Sequence, residues 1–163
     1  MTERYFEDFI PGQVFKPSGR VRVEKEEVIA FARKFDPQPF HLDEEAARQS
    51  IFGRLVASGW HTAAITMSLI AHSEHRAAGG TIGLGFEGLR WPIPVAPGDE
   101  LRIESEVLET RPSKSRPDRG LLKMRTRTLN QNNEVVQEII ANGLVPRRPA
   151  GAKEAPDTLP SSA

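Results

Sequence analysis

The residues of this sequence best suited to chemistry are a carboxylate and an imidazole five positions apart, Asp36 and His41. Two prolines, Pro37 and Pro39, stand between them, and each fixes its own φ angle. The two side chains can therefore keep one relative position without a helix between them. A carboxylate and an imidazole within reach of one water molecule form an acid–base pair near neutral pH. Either residue alone also fits a turn or a packed core, so it is the pair that predicts catalysis.

The second candidate feature is the pair Ser58-Gly59, at the start of a helical pattern that extends to His72. Serine is a good N-cap residue, and the first N–H groups of a helix lack partners within the helix and can bind a developing negative charge. Gly59 has no side chain that would block a ligand from its N–H. A capping serine followed by a packing glycine explains the same two residues, and from the residues alone that interpretation is favoured.

A polar connection over residues 113–120 contains several basic residues, among them Arg116. It fits either a solvated turn or a phosphate contact for an anionic ligand. The chain has no P-loop, no dinucleotide-binding glycine fingerprint and no nucleophile elbow. None of those three kinds of site is therefore predicted.

Helices must deliver the candidate residues, and the sequence contains three helical patterns. Apolar side chains recur at helical spacing over residues 24–36, and Pro37 should end this helix because it disfavours the α conformation at the residue before it. A short helix follows, with Asp43 as a plausible N-cap. The helix from Ser58 to His72 carries small and apolar residues on nearly all faces, which is typical of a buried helix.

From Ile82 onwards, apolar residues recur at every second position, as in a β-strand. Four segments alternate in this way, at residues 82–91, 101–108, 122–128 and 135–145. Their short connections predict an antiparallel sheet with one buried and one wet face. The predicted fold class is α+β, with the sheet curled around the buried helix. We expect one domain over residues 1–148 and a disordered tail, rich in Pro, Ala and Ser, over residues 149–163.

Composition limits the possible partners and location of the chain. Lys+Arg and Asp+Glu both number 22, so the formal net charge is zero, which argues against general binding of nucleic acid. The absence of cysteine excludes disulfides, thiolate metal sites and cysteine nucleophiles. The N-terminus lacks the apolar core of a signal peptide, and no apolar run is long enough to span a bilayer. We therefore expect a soluble cytoplasmic protein that binds neither nucleic acid nor membrane.

Two stretches of the sequence carry a more specific signal. One runs from Phe31 to Ala46 and contains Asp-Pro-Gln-Pro-Phe-His-Leu-Asp; the other is Leu-Val-Ala-Ser-Gly-Trp at residues 55–60. Together they resemble the hydratase-2 motif of MaoC-like dehydratases and (R)-specific enoyl-CoA hydratases. Residues 89–99, which end in Pro-Gly-Asp, are similar to the same family. The resemblance extends from about Tyr5 to Arg148.

The resemblance implies a hot-dog fold, in which a curved antiparallel sheet wraps a long central helix, and a homodimer or higher homo-oligomer with sheets joined edge to edge. It implies a hydro-lyase of fatty acid metabolism that interconverts trans-2-enoyl-CoA and (R)-3-hydroxyacyl-CoA, so the expected partner is a small-molecule CoA thioester. Asp36 and His41 then correspond to the catalytic acid–base pair, and Gly59 to the glycine whose N–H binds the thioester oxygen. Such a reaction needs no metal and no redox cofactor.

The substrate-binding residues expected on this basis are Ser58, Trp60, Met67, Phe86, Trp91 and Arg116, although core packing also explains the apolar ones. The sequence departs from the usual motif, since Phe35 stands in place of a glycine, Gln38 of an asparagine and Ser58 of a histidine. The acyl group is therefore left open. Two alternatives remain. The first is a hot-dog thioesterase, disfavoured because residues 63–71 contain no Asp or Glu. The second is a non-catalytic acyl-CoA-binding subunit, which the intact acid–base pair disfavours.

Overall fold

The long helices precede Ile82 and the long strands follow it, as the change in apolar period predicts. The computed structural model describes residues 3–152. Most of the predicted tail, residues 153–163, lies outside the described residues. The helices are a 3-10 turn at Phe6–Asp8, α1 (Lys25–Phe35), α2 (Pro39–Leu42), α3 (Glu44–Arg48) and α4 (Gly59–Ala71). The strands are β1 (Val14–Phe15), β2 (Val21–Arg22), β3 (Ile82–Arg90), β4 (Glu100–Pro112), β5 (Arg119–Leu129) and β6 (Val135–Pro146).

The strands form an antiparallel sheet in the order β1-β4-β5-β6-β3, and β2 also pairs with β4. The alternation of apolar and polar residues in the sequence corresponds to the two faces of the sheet, because the apolar residues Leu101, Ile103 and Val107 of β4 are all buried. Polar residues continue the same inward row, where Ser105 pairs with Thr126 of β5 and their hydroxyls lie 2.8 Å apart. The predicted antiparallel sheet with one buried face is confirmed.

Helix α4 packs on the buried face of this sheet. Ser58 is its N-cap, because the Ser58 hydroxyl accepts a hydrogen bond from the Trp60 N–H at 3.2 Å. Ile65 and Leu69 of α4 belong to the same buried cluster as Leu101 of β4. A long helix wrapped by an antiparallel sheet is therefore the architecture of the chain, and the predicted α+β class is confirmed.

One side of α4 is not covered. Trp60 and Met67 are 54% and 60% exposed, so the expectation of a helix buried on nearly all faces is wrong for the single chain. The apolar pattern cannot distinguish a helix covered by its own sheet from one that leaves an apolar side uncovered. Across residues 3–152, no helix has the length and apolar character needed to cross a bilayer.

The segment between α1 and α3 is more regular than the rigid loop that its prolines predict. It contains α2, a single helical turn that begins at Pro39 and carries His41. Proline suits the first position of a helix because its missing N–H would have no partner there. The prediction for Asp43 is confirmed, since its carboxylate caps α3 by accepting the Ala46 N–H at 2.8 Å.

Candidate active site

Asp36 lies directly after α1, where its N–H still bonds to the Ala32 carbonyl at 2.9 Å. Each of its carboxylate oxygens accepts one side-chain hydrogen bond. Oδ2 accepts from the Ser58 hydroxyl at 2.6 Å, and Oδ1 accepts from the Gln38 amide at 2.7 Å. The carboxylate is thus oriented from two directions, by a near neighbour in sequence and by the N-cap of α4. Two features that the sequence singles out separately are in direct contact.

His41 is buried, and its contacts determine which ring nitrogen carries the hydrogen. Nδ1 lies 2.7 Å from the carbonyl oxygen of Val56, which can only accept, so Nδ1 is the protonated nitrogen. In the neutral ring Nε2 has no hydrogen, and it faces Oδ2 of Asp36 at 3.4 Å. Two acceptors cannot bond to each other, but a water molecule can donate one hydrogen to each.

The hydrogen bond from the Ser58 hydroxyl is the main reason why the pKa of Asp36 lies below its usual value. Partial burial opposes this shift, whereas the Gln38 amide and the nearby His41 ring lower the pKa further. Asp36 is therefore ionised at neutral pH. A carboxylate held in this way is a weak base, and it is well suited to orienting a donor and stabilising a nearby cation.

Gly59 is the first residue of α4, and its close contact with Trp91 explains why glycine stands there. A Cβ atom at this position would lie 2.6 Å from Cε2 of the Trp91 ring, well inside a normal contact. The Gly59 N–H belongs to the first helical turn, whose donors have no acceptor within the helix. Within residues 3–152, no acceptor pairs with this N–H. The amide is therefore free to bind a ligand, one residue from the serine that contacts Asp36.

Trp91 is held against Gly59 by its ring nitrogen. The indole N–H donates to Oε1 of Gln137 at 2.8 Å, and the Trp60 ring packs edge-on at 5.4 Å between centroids. Gln137 is fully buried in β6. The sequence analysis did not single it out, and the available signal was an amide side chain among the valines and isoleucines of the last strand.

A cavity of about 400 Å³ lies between α4 and the sheet, within the usual range for ligand pockets. Its wall includes Ala63, Thr66, Met67, Ile70, Met124 and Gln137. Of the predicted substrate-binding residues, Met67 alone belongs to the wall formed by the described part of the chain. The cavity begins one helical turn beyond Gly59.

The other predicted substrate-binding residues lie elsewhere. The Ser58 hydroxyl is buried against Asp36, and Phe86 is 56% exposed on β3 at the edge of the sheet. Arg116 lies in the exposed turn between β4 and β5, where its backbone N–H donates to the Ser113 hydroxyl at 3.2 Å. No contact within residues 3–152 links Arg116 to the corner around Asp36.

His61 is a buried histidine in the first turn of α4. Its ring stacks on Phe31 at 4.7 Å between centroids, with the ring planes 7° apart. Nδ1 is buried and has no hydrogen-bond partner among the described residues. Burial lowers the pKa of His61, and the carboxylate of Glu27 offsets part of that effect. The ring is therefore neutral at neutral pH.

The family model described as MaoC like domain matches residues 8–127, which include Asp36, His41 and Gly59. This chain belongs to the MaoC-like family. The structure of a MaoC-like dehydratase from Rhodospirillum rubrum is 55% identical to it, with a TM-score of 0.84 over 90% of this chain and 99% of that one. The R-hydratase PhaJ1 from Pseudomonas aeruginosa is 28% identical, with a TM-score of 0.71 over 95% of this chain and 96% of that one.

A mesaconyl-CoA hydratase from Cereibacter sphaeroides is a sequence relative of this MaoC-like chain, 31% identical over 133 residues. The match covers 82% of this chain and 34% of the hydratase, so the chain spans about a third of that relative. These similarities confirm the family resemblance and the hot-dog fold read from the sequence. They also show that the family includes hydratases and dehydratases.

Proposed function

We propose that this MaoC-like chain is a hydro-lyase that adds water to a trans-2-enoyl-CoA, giving an (R)-3-hydroxyacyl-CoA, and catalyses the reverse dehydration. The observation that carries the proposal is the position of Nε2 of His41, which faces the carboxylate of Asp36 at 3.4 Å while the Val56 carbonyl holds Nδ1 at 2.7 Å. The family supports it, since one structural neighbour is named an R-hydratase and one sequence relative a mesaconyl-CoA hydratase.

The acid–base pair acts on one water molecule in the proposed reaction. The water donates one hydrogen to Nε2 of His41 and one to Oδ2 of Asp36, and its oxygen attacks Cβ while Nε2 takes a proton. Asp36 stays ionised, because the Ser58 hydroxyl lowers its pKa, and its charge stabilises the imidazolium that forms. The imidazolium then delivers that proton to Cα, which completes the addition of one water. No metal or redox cofactor takes part.

The Gly59 N–H binds the thioester oxygen in the same proposal. Attack at Cβ moves an electron pair through Cα towards the carbonyl, and the oxygen acquires enolate-like charge. A donor aimed at that oxygen stabilises the transition state more than the substrate. The N-terminus of α4 adds a partial positive charge, and Gly59 has no side chain in the way. The acyl chain extends into the cavity along α4, where Met67 contacts it.

The test follows loss of the conjugated double bond of crotonyl-CoA by absorbance. We expect turnover by the wild type and a fall in kcat of roughly 100-fold or more in Asp36→Asn and His41→Ala, the scale of general acid–base catalysis. Asp36→Asn keeps the shape of the side chain and removes its charge, so it separates chemistry from packing. Unchanged activity in both variants would remove the proposed roles. Release of free thiol from acyl-CoA would instead indicate a thioesterase, and binding without turnover a non-catalytic subunit.

The partner that we propose for the chain is a second copy of itself, paired along β3. This strand ends the sheet on that side, and its side chains Ile82, Leu84 and Phe86 are 50% to 56% exposed. An exposed apolar edge is a template for pairing with another strand, and a second β3 would cover it.

Light scattering tests the assembly. We expect a dimer for the wild type and a shift towards monomer for Leu84→Lys, because a lysine opposes pairing at a sheet edge. Ile51→Lys is the matched control, since Ile51 is 97% exposed away from β3. A wild-type monomer at micromolar concentration would exclude the proposed dimer.

A further inference from the structure

A series of buried hydrogen bonds connects Trp91 to α4 through β6. The indole N–H donates to Oε1 of Gln137 at 2.8 Å, and Nε2 of Gln137 donates to the Thr66 hydroxyl at 3.0 Å. The Thr66 hydroxyl donates to the carbonyl of Thr62 at 2.9 Å. The Thr128 hydroxyl lies 2.6 Å from that of Thr66. Gln137, Thr66 and Thr128 are at most 2% exposed, so bulk water does not compete for the bonds among these three side chains.

The partners determine the direction of every bond in this series. An indole N–H can only donate, so Gln137 must turn its oxygen towards Trp91 and its NH2 group towards Thr66. The Thr62 carbonyl can only accept, so it takes the hydroxyl hydrogen of Thr66. Thr128 must then donate to Thr66. A flip of the Gln137 amide would break two bonds, which leaves the side chain with one orientation and fixes the ring nitrogen of Trp91.

Trp91 contacts Gly59 and is bonded to a residue of the cavity wall. Three of its ring atoms lie within 2.9 Å of the position that a Cβ of Gly59 would occupy, and its ring nitrogen bonds to a residue of the cavity wall. The wall begins at Ala63, about 6 Å along α4 from Gly59 at the usual helical rise. The Gly59 position and the cavity wall are thus linked through the indole ring.

We propose that Gln137 is a positioning residue that holds the Trp91 ring beside Gly59. In this proposal an acyl chain whose thioester oxygen is bound at Gly59 passes along the ring to reach the cavity, and the ring so held limits the length of acyl chain that the site accepts. The proposed function supplies the substrate for this inference. The Gln137 bond fixes the ring nitrogen, and the contacts with Trp60 and Gly59 border the rest of the ring. Gln137 acts through Trp91 and touches none of the reacting atoms.

Fluorescence tests the positioning without any substrate. The chain has two tryptophans, so Trp60→Phe leaves Trp91 as the sole emitter while keeping an aromatic ring at its edge. In this background, Gln137→Leu removes both amide bonds at similar volume. We expect a red-shifted emission maximum and stronger quenching by acrylamide. Gln137→Glu is the matched control and should resemble the unsubstituted background, because a buried carboxyl stays protonated and can replace both bonds. Identical spectra and quenching for Gln137→Leu and its background would overturn the positioning role.

Kinetics test the limit on chain length. We expect the ratio of kcat/KM for an eight-carbon over a four-carbon enoyl-CoA to rise about tenfold in Gln137→Leu, the discrimination typical of added methylenes in an apolar pocket. Gln137→Glu, which can replace both bonds, should keep the wild-type ratio. An unchanged ratio in Gln137→Leu would overturn the limit.

Val136→Ala separates this effect from general loosening of the core. Val136 is the fully buried neighbour of Gln137 in β6, and it packs in the core without lining the cavity. We expect the wild-type ratio for this variant, and an equal rise would overturn the specific role of Gln137. If Gln137→Leu does not fold, Trp91→Phe removes the donor and keeps a ring. The same rise in the ratio is then expected, and its absence would overturn the proposal.

Failure of the proposed function has a different signature. A wild type that hydrates no enoyl-CoA would overturn that function, and the limit on chain length would fail with it. The fluorescence of the sole Trp91 would still show whether Gln137 positions the ring, because it requires no turnover.

Discussion

Two hydrogen-bonded clusters meet at Gly59, and they differ in kind. The acid–base cluster consists of Asp36, Gln38, His41 and Ser58. The indole cluster consists of Trp91, Gln137, Thr66 and Thr128. The first contains an ionised carboxylate with an 18% exposed side chain, whereas the second is neutral and, apart from the indole, sealed from water.

The difference teaches how one site divides its tasks. In the acid–base cluster, Nε2 of a neutral His41 ring faces the Asp36 carboxylate without bonding to it, so a ligand that donates can bridge the two acceptors. In the indole cluster the indole N–H, the Gln137 amide and the Thr66 hydroxyl each donate to a protein acceptor, so these bonds serve to hold the ring in place. Hydrogen bonds to the charged group are worth about 1.5–3 kcal/mol, against roughly 0.5–1.5 kcal/mol for neutral ones.

Among substitutions that leave Asp36 and His41 in place, the largest effect is expected where the two clusters meet. In Gly59→Ala the new methyl would lie 2.6 Å from the Trp91 ring, so either the indole or the start of α4 must move. We expect kcat/KM for crotonyl-CoA to fall roughly 100-fold, the cost of one misplaced oxyanion donor. Trp91→Leu in the Gly59→Ala background should recover part of the loss, relative to Trp91→Leu alone. Wild-type activity in Gly59→Ala would show that the contact does not constrain the site.

Ser58→Ala tests the acid–base cluster by removing the hydroxyl that donates to the Asp36 carboxylate. We expect the free energy of unfolding at pH 7 to fall by about 2 kcal/mol, from the lost bond to the carboxylate and the lost N-cap. Urea denaturation measures it, with Ser58→Thr as the control that keeps a hydroxyl.

The pH dependence separates these two contributions of Ser58. The lowered pKa of Asp36 adds stability that is present above its ordinary value of 3.8 and is lost as the pH falls through the lower folded-state pKa. The difference in free energy of unfolding between wild type and Ser58→Ala should therefore become smaller as the pH falls. A constant difference would assign the whole loss to the cap.

His61 belongs to neither cluster and gives a smaller, pH-dependent effect. Burial lowers its pKa below the ordinary 6.5, so the unfolded chain binds its proton first and stability falls as the pH drops below that value. In His61→Phe we expect the loss between pH 6.5 and 5 to shrink by about 1 kcal/mol. Burial and the Arg4 charge also lower the pKa of His75, so His75→Phe should remove a separate part of the loss of stability at low pH. An unchanged slope in His61→Phe would contradict the prediction.

Arg116 lies outside both clusters, and its substitution should have the smallest effect. If this exposed side chain contacts a phosphate of CoA, Arg116→Ala raises KM about threefold, as expected for one screened surface charge, and leaves kcat unchanged. Steady-state kinetics with crotonyl-CoA measure both constants, and Lys114→Ala is the control within the same turn. An unchanged KM would remove Arg116 from the ligand site.

The pairing of Asp36 with His41 was predictable because the two residues are five positions apart and Pro37 and Pro39 constrain the segment between them. The bonds of Asp36 to Gln38 and to Ser58, which is 22 positions away, were not predicted. The apolar period likewise predicted α4 and the long strands. The protonated nitrogen of His41 was not predictable, since it depends on where the Val56 carbonyl lies after the chain folds back.

The indole cluster could not be predicted, because its members are 46 and 71 positions apart. They meet only because β6 lies between β5 and β3, and strand order is not encoded in the alternation of any one strand. The same reason explains Phe86. The period placed it in a strand, but only the strand order reveals that β3 is an edge and that the side chain is exposed.

The Val56 carbonyl has a consequence for protein engineering. It fixes the protonated nitrogen of His41, and it belongs to the same short stretch of backbone that continues through Ser58 to Gly59. The Ala57 N–H anchors that stretch to the Val95 carbonyl at 2.7 Å. Residues 56–59 therefore form one anchored segment that positions the His41 ring, the Asp36 carboxylate and the Gly59 amide relative to one another. To adapt this scaffold to a new acyl group, a designer should therefore change residues of the cavity wall and keep residues 56–59 unchanged.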